Sequence, residues 1–458
     1  MRVLLINPEW IRKKGSIWKG VAGAMPPLGL AYIGAYLEKE GVQVSIIDMQ
    51  VEYDTPENIL KSLNYKPDFV GISAVTTTYN DGLVIAGLCR KIFPSARIIF
   101  GGVHPTFSPE EVLSHDEADY VIRGEGEETL LKLVKGEKEE NIKGLSYKNE
   151  GRIIHNPDCD LIKDLDALPV PAYHMLRVER YVPSLGAYKR LPGISMITSR
   201  GCPGKCKYCF GSYLGNRIRF HSYEYMLKTV RMLKKDYGIK EIAFYDDTFT
   251  AFKNNLKLFC EGLINEKLDI TWVCFARVDF IDAELLALMK KAGCHQVLYG
   301  VESGNQEILK ALGKSTTLER VEEAVRMTKK AGIECRTSFM LGNPGDTEET
   351  LQQTIDFSIK LDADLAMYNI TTPFPGTEMY KWAQDNGYLM TNDWSKYDFS
   401  TAVMNLPTVS PEKIEEYYHR AHRLFYGRPK YLIKRVLKIR TIDDVIMAFK
   451  AVIAIWFK

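Results

Sequence analysis

The chain has 458 residues, 46% of them apolar and 26% charged, with 60 lysines and arginines against 58 aspartates and glutamates. That composition belongs to a folded chain of roughly two to four domains and excludes a disordered or collagen-like one. A formal net charge of +2 provides no overall attraction to nucleic acid or to an acidic partner, so any basic patch has to be local.

The first residues, MRVLLINPEW, hold one arginine, a short apolar run and an early proline. They lack the apolar core and cleavage site of a secretory signal and read as the first buried strand of a cytoplasmic protein. Over residues 1–137, short apolar runs alternate with helical segments. RVLLIN, VQVSIID, DFVGISAV, ARIIFGG and ADYVIRG are candidate strands, and GLAYIGAYLEKEG, PENILKSL and NDGLVIAGLCRKIF have helical spacing. The alternation predicts a doubly wound, Rossmann-like parallel sheet. Ligands of such α/β sheets lie at the carboxyl ends of the strands, where SAVTTTYND, GGVHPTFS and RGEGEET fall. Residues 138–190 read as a linker, with a hairpin turning at residues 149–151 and the proline-rich LDALPVPAY.

A second alternation fills residues 191–387, with strands at GISMIT, EIAFYDD, ITWVCFA, HQVLYGVE, ECRTSFMLG and ADLAMYNI. Six strands predict a partial (β/α)6 barrel, two short of the usual closed one. Trp272, Tyr299 and Tyr368 lie near strand ends and are candidate pocket-lining residues. Residues 388–458 are expected to be a C-terminal helical region, helical and locally basic from about 410. There Leu432, Val436 and Ile439 share one face, while Lys434, Arg435, Lys438 and Arg440 lie largely elsewhere. Helices packed over the barrel mouth account for this pattern. So does peripheral contact with an anionic membrane surface, which would suit a lipid substrate.

Nine cysteines is an odd count, and Cys89, Cys159, Cys260, Cys274, Cys294 and Cys335 are scattered singly, as reduced thiols rather than a disulfide framework. Cys202, Cys206 and Cys209 instead cluster in SRGCPGKCKYCFG, directly after the first barrel strand. Thiolates suit zinc or iron-sulfur clusters. Zinc needs a fourth ligand, for which His221 is a candidate, and an electron carrier wants four cysteines per cluster. Three thiolates on a four-iron cluster leave one iron open to a reactant.

The CxxxCxxC pattern, here CPGKCKYC, resembles that of the radical S-adenosylmethionine enzymes. The resemblance covers about residues 190–385. It implies a 4Fe-4S cluster held by Cys202, Cys206 and Cys209, whose open iron chelates S-adenosylmethionine and whose electron releases a 5′-deoxyadenosyl radical. It also implies an external electron donor such as a flavodoxin or ferredoxin. FYDDTF occupies the position that binds the methionine amino group but departs from the family's commoner Gly-Gly-Glu, leaving Asp246 and Asp247 as candidates. YGVESGN carries over Glu302 and Ser303, and Lys314 matches a basic position facing the methionine carboxylate. SFMLGNPGDT puts Ser338 near the ribose and Gly342 under the adenine, with Tyr208 on the adenine's other side. Arg277 is a further anion partner.

A parallel sheet ahead of such a barrel resembles the cobalamin-binding subfamily, through PPLGLAYIGAYLEKEG, GISAVTTTYN, GGVHPT and GEGEET. Ser73, Thr76, Gly101, Gly102, Gly124 and Gly126 are the implied cobalamin contacts, since small residues let a bulky cofactor approach the backbone. The Asp-x-His-x-x-Gly pattern that supplies cobalt's lower ligand in many cobalamin proteins is missing after the first strand, and His104 is the nearest substitute. The resemblance implies methyl transfer to an unactivated carbon of a small-molecule or lipid substrate. Hydroxylation, cyclisation and ring contraction also occur in the subfamily, and a non-catalytic cobalamin or cluster-based sensor is the rival from another class.

Overall fold

A computed structural model describes residues 1–9, 23–183, 186–212 and 217–436. The first unit runs β1 (Arg2–Asn7), α1 (Leu28–Lys39), β2 (Gln43–Asp48), α2 (Pro56–Lys61), β3 (Phe69–Ser73), α3 (Tyr79–Ile92), β4 (Arg97–Gly101), α4 (Val103–Phe107), α5 (Pro109–Ser114), β5 (Tyr120–Ile122) and α6 (Glu127–Val134). The strand order β2-β1-β3-β4-β5 is parallel throughout. Alternate residues of β1 enter opposite cores: Val3 and Leu5 pack with Leu30 and Leu130, Leu4 and Ile6 with Ile72 and Phe100. A strand buried on both faces needs this unbroken apolar run. The order reverses between β1 and β3, which opens a crevice beyond the strand ends.

The expected hairpin is present as β6 (Leu145–Asn149) and β7 (Arg152–His155), but it does not belong to a linker. It extends the first sheet as two antiparallel strands on the β5 edge, so that sheet is mixed rather than wholly parallel. Glu150 and Gly151 both have positive φ, the two-residue turn that suits the twist of a hairpin.

The second unit opens with β8 (Gly193–Met196), followed by a small antiparallel ribbon of β9 (Ser199–Arg200) and β10 (Arg219–Phe220). Then come α7 (Tyr223–Tyr237), β11 (Glu241–Phe244), α8 (Lys253–Asn265), β12 (Thr271–Ala276), α9 (Ala283–Lys291), β13 (Cys294–Glu302), α10 (Gln306–Ala311), α11 (Leu318–Lys330), β14 (Glu334–Leu341), α12 (Glu348–Leu361) and β15 (Leu365–Ile370). All six expected barrel strands form, parallel and in chain order from β8 to β15. Trp272, Tyr299 and Tyr368 do not line a pocket. They are fully buried on the helix side of the sheet, where Trp272 Nε1 donates to Ala292 O (2.8 Å) and Tyr299 Oη meets Thr328 Oγ1 (2.8 Å). Strand alternation sends their neighbours Val273, Leu298 and Met367 inward instead.

Beyond the barrel lie α13 (Glu378–Asp385), α14 (Pro411–Tyr426) and α15 (Pro429–Val436). Residues 388–410 hold no α-helix, only a 3-10 turn at Trp394–Lys396: they form a strap that returns to the first unit, where Trp394, Tyr397 and Val403 complete its core. Leu432 and Ile433 on α15 are exposed, while the expected roles of Lys434, Arg435, Val436, Lys438, Ile439 and Arg440 fall outside the described side chains. No helix among the described residues is long and apolar enough to cross a membrane.

Four largely buried charges join the two units. Arg200 of β9 meets Glu127 (2.5 Å) and Glu125 (3.2 Å), and Arg219 of β10 grips both oxygens of Glu125 (2.7 and 3.0 Å). Burial opposes ionisation of Glu125, yet Arg219 and Arg200 hold its carboxyl below the usual range. Tyr32 lies beneath the Arg200 guanidinium. Arg200→Ala strands Glu127 without a cation, and removing one partner of a buried pair costs about 3–5 kcal/mol. We expect a markedly lower thermal midpoint for Arg200→Ala in a melting curve, with much of the loss recovered in the Arg200→Met/Glu127→Gln double variant.

Candidate active site

The strand ends of the two sheets border a half-open cavity of about 540 Å³. From the first unit it is lined by Ser73, Gly101, Gly102, Gly124 and Gly126, together with Leu30, Ile33 and Ile122. From the second it is lined by Gly201, Cys209, Phe210, Tyr245 and Asp247. Gly29 and Gly101 mark where the wall has been kept bare: a Cβ on Gly29 meets nothing within 4 Å, and one on Gly101 meets only Ile122 O at 3.9 Å. Side chains there would fill the cavity. Gly102 has a different reason, since its φ of 98° and its approach to Ala74 O leave no room for a Cβ.

Thr76 and His104 are not on this wall. His104 is buried, stacked on Tyr79 (ring centroids 4.2 Å) and edge-on to Trp394 of the strap (5.1 Å). Its Nδ1 meets Thr76 Oγ1 at 3.2 Å, and its Nε2 lies 3.5 Å from Glu111 Oε2. The imidazole is occupied in packing and is not turned to the cavity. Among the described residues, no histidine lines it.

The three cysteines share one loop folded around two glycines. A Cβ on Gly204 would lie 3.4 Å from Cys202 Sγ and 3.8 Å from Cys206 Sγ, and one on Gly211 would lie 3.8 Å from Cys209 Sγ. Burial and the nearby Asp247, Cys206 and Cys202 push the Cys209 thiol up to about 11. Thr248 Oγ1 lies 3.5 Å from Cys202 Sγ, and the Arg277 guanidinium lies 3.9 Å from Cys206 Sγ. His221 supplies no fourth ligand: Nδ1 is bonded to Asp166 (3.1 Å), Nε2 to Tyr32 Oη (3.1 Å), and burial lowers its pKa to about 4. No three or more His, Cys, Asp or Glu side chains among the described residues are arranged to hold a single metal ion.

The other expected site residues divide. Glu302, at φ 72° on a bulge of β13, accepts from Tyr208 Oη (3.0 Å) and Lys314 Nζ (2.9 Å). This triad lies directly above Gly300, where any Cβ would collide with the Glu302 carboxylate. Burial and the neighbouring Glu302 push the Tyr208 hydroxyl well above its ordinary pKa. Ser338 faces the barrel interior and receives Asn369 Nδ2 at 3.4 Å. Ser303 is turned away, bonded to Thr354 Oγ1 (3.2 Å) and Asn305 N (3.1 Å). Gly342 is covered by Ile414 of α14, and its φ of 83° serves the turn that Asp346 caps. Asp247 reaches the cavity, whereas Asp246 lies beneath the floor and accepts from Thr198 N (2.8 Å), Thr198 Oγ1 (3.0 Å) and Ser199 Oγ (2.5 Å).

Two family models match the chain, the B12 binding domain over residues 18–134 and the Radical SAM superfamily over residues 196–358. An uncharacterized methyltransferase of Pyrococcus horikoshii is 37% identical, over 96% of this chain and 95% of its own. The chain belongs to the cobalamin-binding radical S-adenosylmethionine enzymes. The anaerobic magnesium-protoporphyrin IX monomethyl ester cyclase of Cereibacter sphaeroides is 27% identical, over 93% of this chain and 70% of its own. The cobalamin-dependent S-adenosylmethionine radical enzyme OxsB, solved with aqua-cobalamin and S-adenosylmethionine, shares the fold at a TM-score of 0.75 and 21% identity, covering 99% of this chain and 72% of that one.

Family membership brings a 4Fe-4S cluster, S-adenosylmethionine and cobalamin to this radical S-adenosylmethionine enzyme. Its residues fit all three. Three thiols on one loop suit a cluster with an open iron, Gly29 and Gly101 leave the cavity wall bare for a corrin, and the Glu302–Lys314 pair offers both charges to an amino acid moiety. Sequence reading missed Arg200, Arg219, Glu125 and Glu127. Their only sequence signal is the Glu-Gly-Glu that ends the first sheet, which in isolation reads as solvated.

Burial raises the pKa of Asp246 to about 6, against the hydrogen bonds from Ser199 and Thr198. A group whose folded pKa is raised stabilises the fold fully below its unfolded pKa and loses that contribution as pH rises through the folded value. Between pH 4 and pH 7 the stability of Asp246→Asn should therefore gain on that of the wild type by roughly 2 kcal/mol, measured by denaturant unfolding at each pH.

Proposed function

We propose that the chain transfers a methyl group to an unactivated carbon of a small, largely apolar substrate held between the two units. One observation carries this reading: a single cavity joins the bare glycine wall of the cobalamin domain to Cys209 of the cluster loop. A two-cofactor reaction needs that continuity. Its walls, with Leu30, Ile33, Ile122 and Phe210 among them, favour apolar surface and exclude water from reactive species. Bound there, the cluster supplies the electron that cleaves S-adenosylmethionine, and cobalamin supplies the methyl group.

Cys202, Cys206 and Cys209 hold the cluster. Lys314 faces the methionine carboxylate and Glu302 its amino group, with Tyr208 fixing the Glu302 carboxylate from the cluster side. Ser338 lies below, on the wall assigned to the ribose. Asp247 borders the cavity between the cluster loop and the substrate space. Gly101, Gly102, Gly124, Gly126 and Ser73 form the cobalamin wall. The electron comes from an external donor such as a flavodoxin or ferredoxin. Kinship with the Cereibacter cyclase favours a second reading, radical cyclisation without methyl transfer, at the same site.

Protein reconstituted without oxygen, with iron, sulfide and hydroxocobalamin, should form 5′-deoxyadenosine from S-adenosylmethionine under titanium(III) citrate, and Cys206→Ala should not. No 5′-deoxyadenosine from protein with a full cluster overturns the enzymatic reading. Methyl-labelled S-adenosylmethionine should leave label in the product, and an unlabelled product assigns cyclisation. Lys314→Met should weaken S-adenosylmethionine binding about ten- to hundredfold, the loss of one charged hydrogen bond, in equilibrium dialysis at unchanged iron content.

A further inference from the structure

We propose that Arg277 sets the reduction potential of the cluster by donating a charged hydrogen bond to the sulfur of Cys206. Arg277 follows β12 at the barrel mouth, and its Nη1 lies 3.9 Å from Cys206 Sγ. Its Nη2 is clamped by Asp279 Oδ2 at 2.7 Å. The side chain is only 12% exposed, and its buried Nε has no hydrogen-bond partner among the described residues. An arginine whose Nη1 is bonded to a cluster thiol, and whose buried Nε has no partner among the described residues, is placed for a group the cysteines carry. The loop makes room for it: a Cβ on Gly204 would lie 3.0 Å from Nη1.

Reduction adds one electron from an external donor, and so one negative charge, to the cluster. A cation and its N–H at a ligating sulfur favour the more negative state, since hydrogen bonds to cluster sulfurs are among the determinants of potential. Arg277 therefore eases the entry of the electron. Asp279 holds the guanidinium in that direction, and Gly204 keeps the approach open. The inference rests on the cluster assignment made above.

The test is a potentiometric titration of the reconstituted full chain, monitored by electron paramagnetic resonance. In Arg277→Gln the reduced-to-oxidised ratio at a fixed potential should fall about tenfold, which for a one-electron couple is a shift of about 59 mV. Arg277→Lys, which keeps the charge but loses the fork, should shift it less. Wild-type protein grown with ¹⁵N-arginine should show a ¹⁵N coupling to the reduced cluster in pulsed spectra, a measurement that requires no variant to fold. A wild-type cluster without that coupling, or a fully loaded Arg277→Gln protein at the wild-type potential, overturns the proposal. An unmoved potential with weakened S-adenosylmethionine binding assigns Arg277 to the methionine carboxylate instead. Wild-type protein that takes up no iron or sulfide defeats the cluster reading itself, an outcome distinct from all of these.

Discussion

Two sheets whose strand ends face each other have to be held mouth to mouth, and four largely buried charges help to do this. Arg200 and Arg219 leave the barrel on its small ribbon and meet Glu125 and Glu127 where the first sheet ends. Each carboxylate is nearly removed from water, so neither is tolerable without its arginine. The contact is therefore specific in register as well as in partner. It brings Cys209, ten residues before Arg219, to the same cavity as Gly101 and Gly126. The clamp acts together with Tyr32, whose hydroxyl donates to Ile197 O, and with Phe107 stacked on Phe210.

Most of the architecture was legible because it is written in local pattern. Five parallel strands of the first unit, six of the second and the hairpin turn at Glu150 and Gly151 all lie where period-two apolar runs and turn residues put them. What escaped was long-range. The hairpin reads as a linker feature because nothing in LSYKN says which sheet edge it will join. Trp272, Tyr299 and Tyr368 look like cavity residues until the parity of each strand is known, and parity comes from the pairing partner rather than from the strand itself.

The site divides along the same line. The cysteine loop, Glu302, Lys314 and Tyr208 come together because a short motif and the barrel order carry them. Ser303, Gly342, Thr76 and His104 were expected from neighbouring segments, yet each is held by a partner invisible in sequence: Thr354, Ile414, His104 for Thr76, and Tyr79 with Trp394 for His104. Glycine proved ambiguous for a physical reason. Gly101 is bare toward the cavity, Gly102 serves a tight turn and Gly342 serves helix packing, three causes that one letter does not distinguish.

The strap over residues 388–410 bears on how far the first unit can stand alone. Trp394 Nε1 donates to Glu111 Oε1 across 283 positions of sequence, and with Tyr397 it closes a core built from residues between Leu4 and Val121. The cobalamin-type sheet is thus finished by a segment synthesised after the entire barrel. Expressed alone, that sheet would lack the side chains of Trp394, Tyr397 and Val403 that its core packs against.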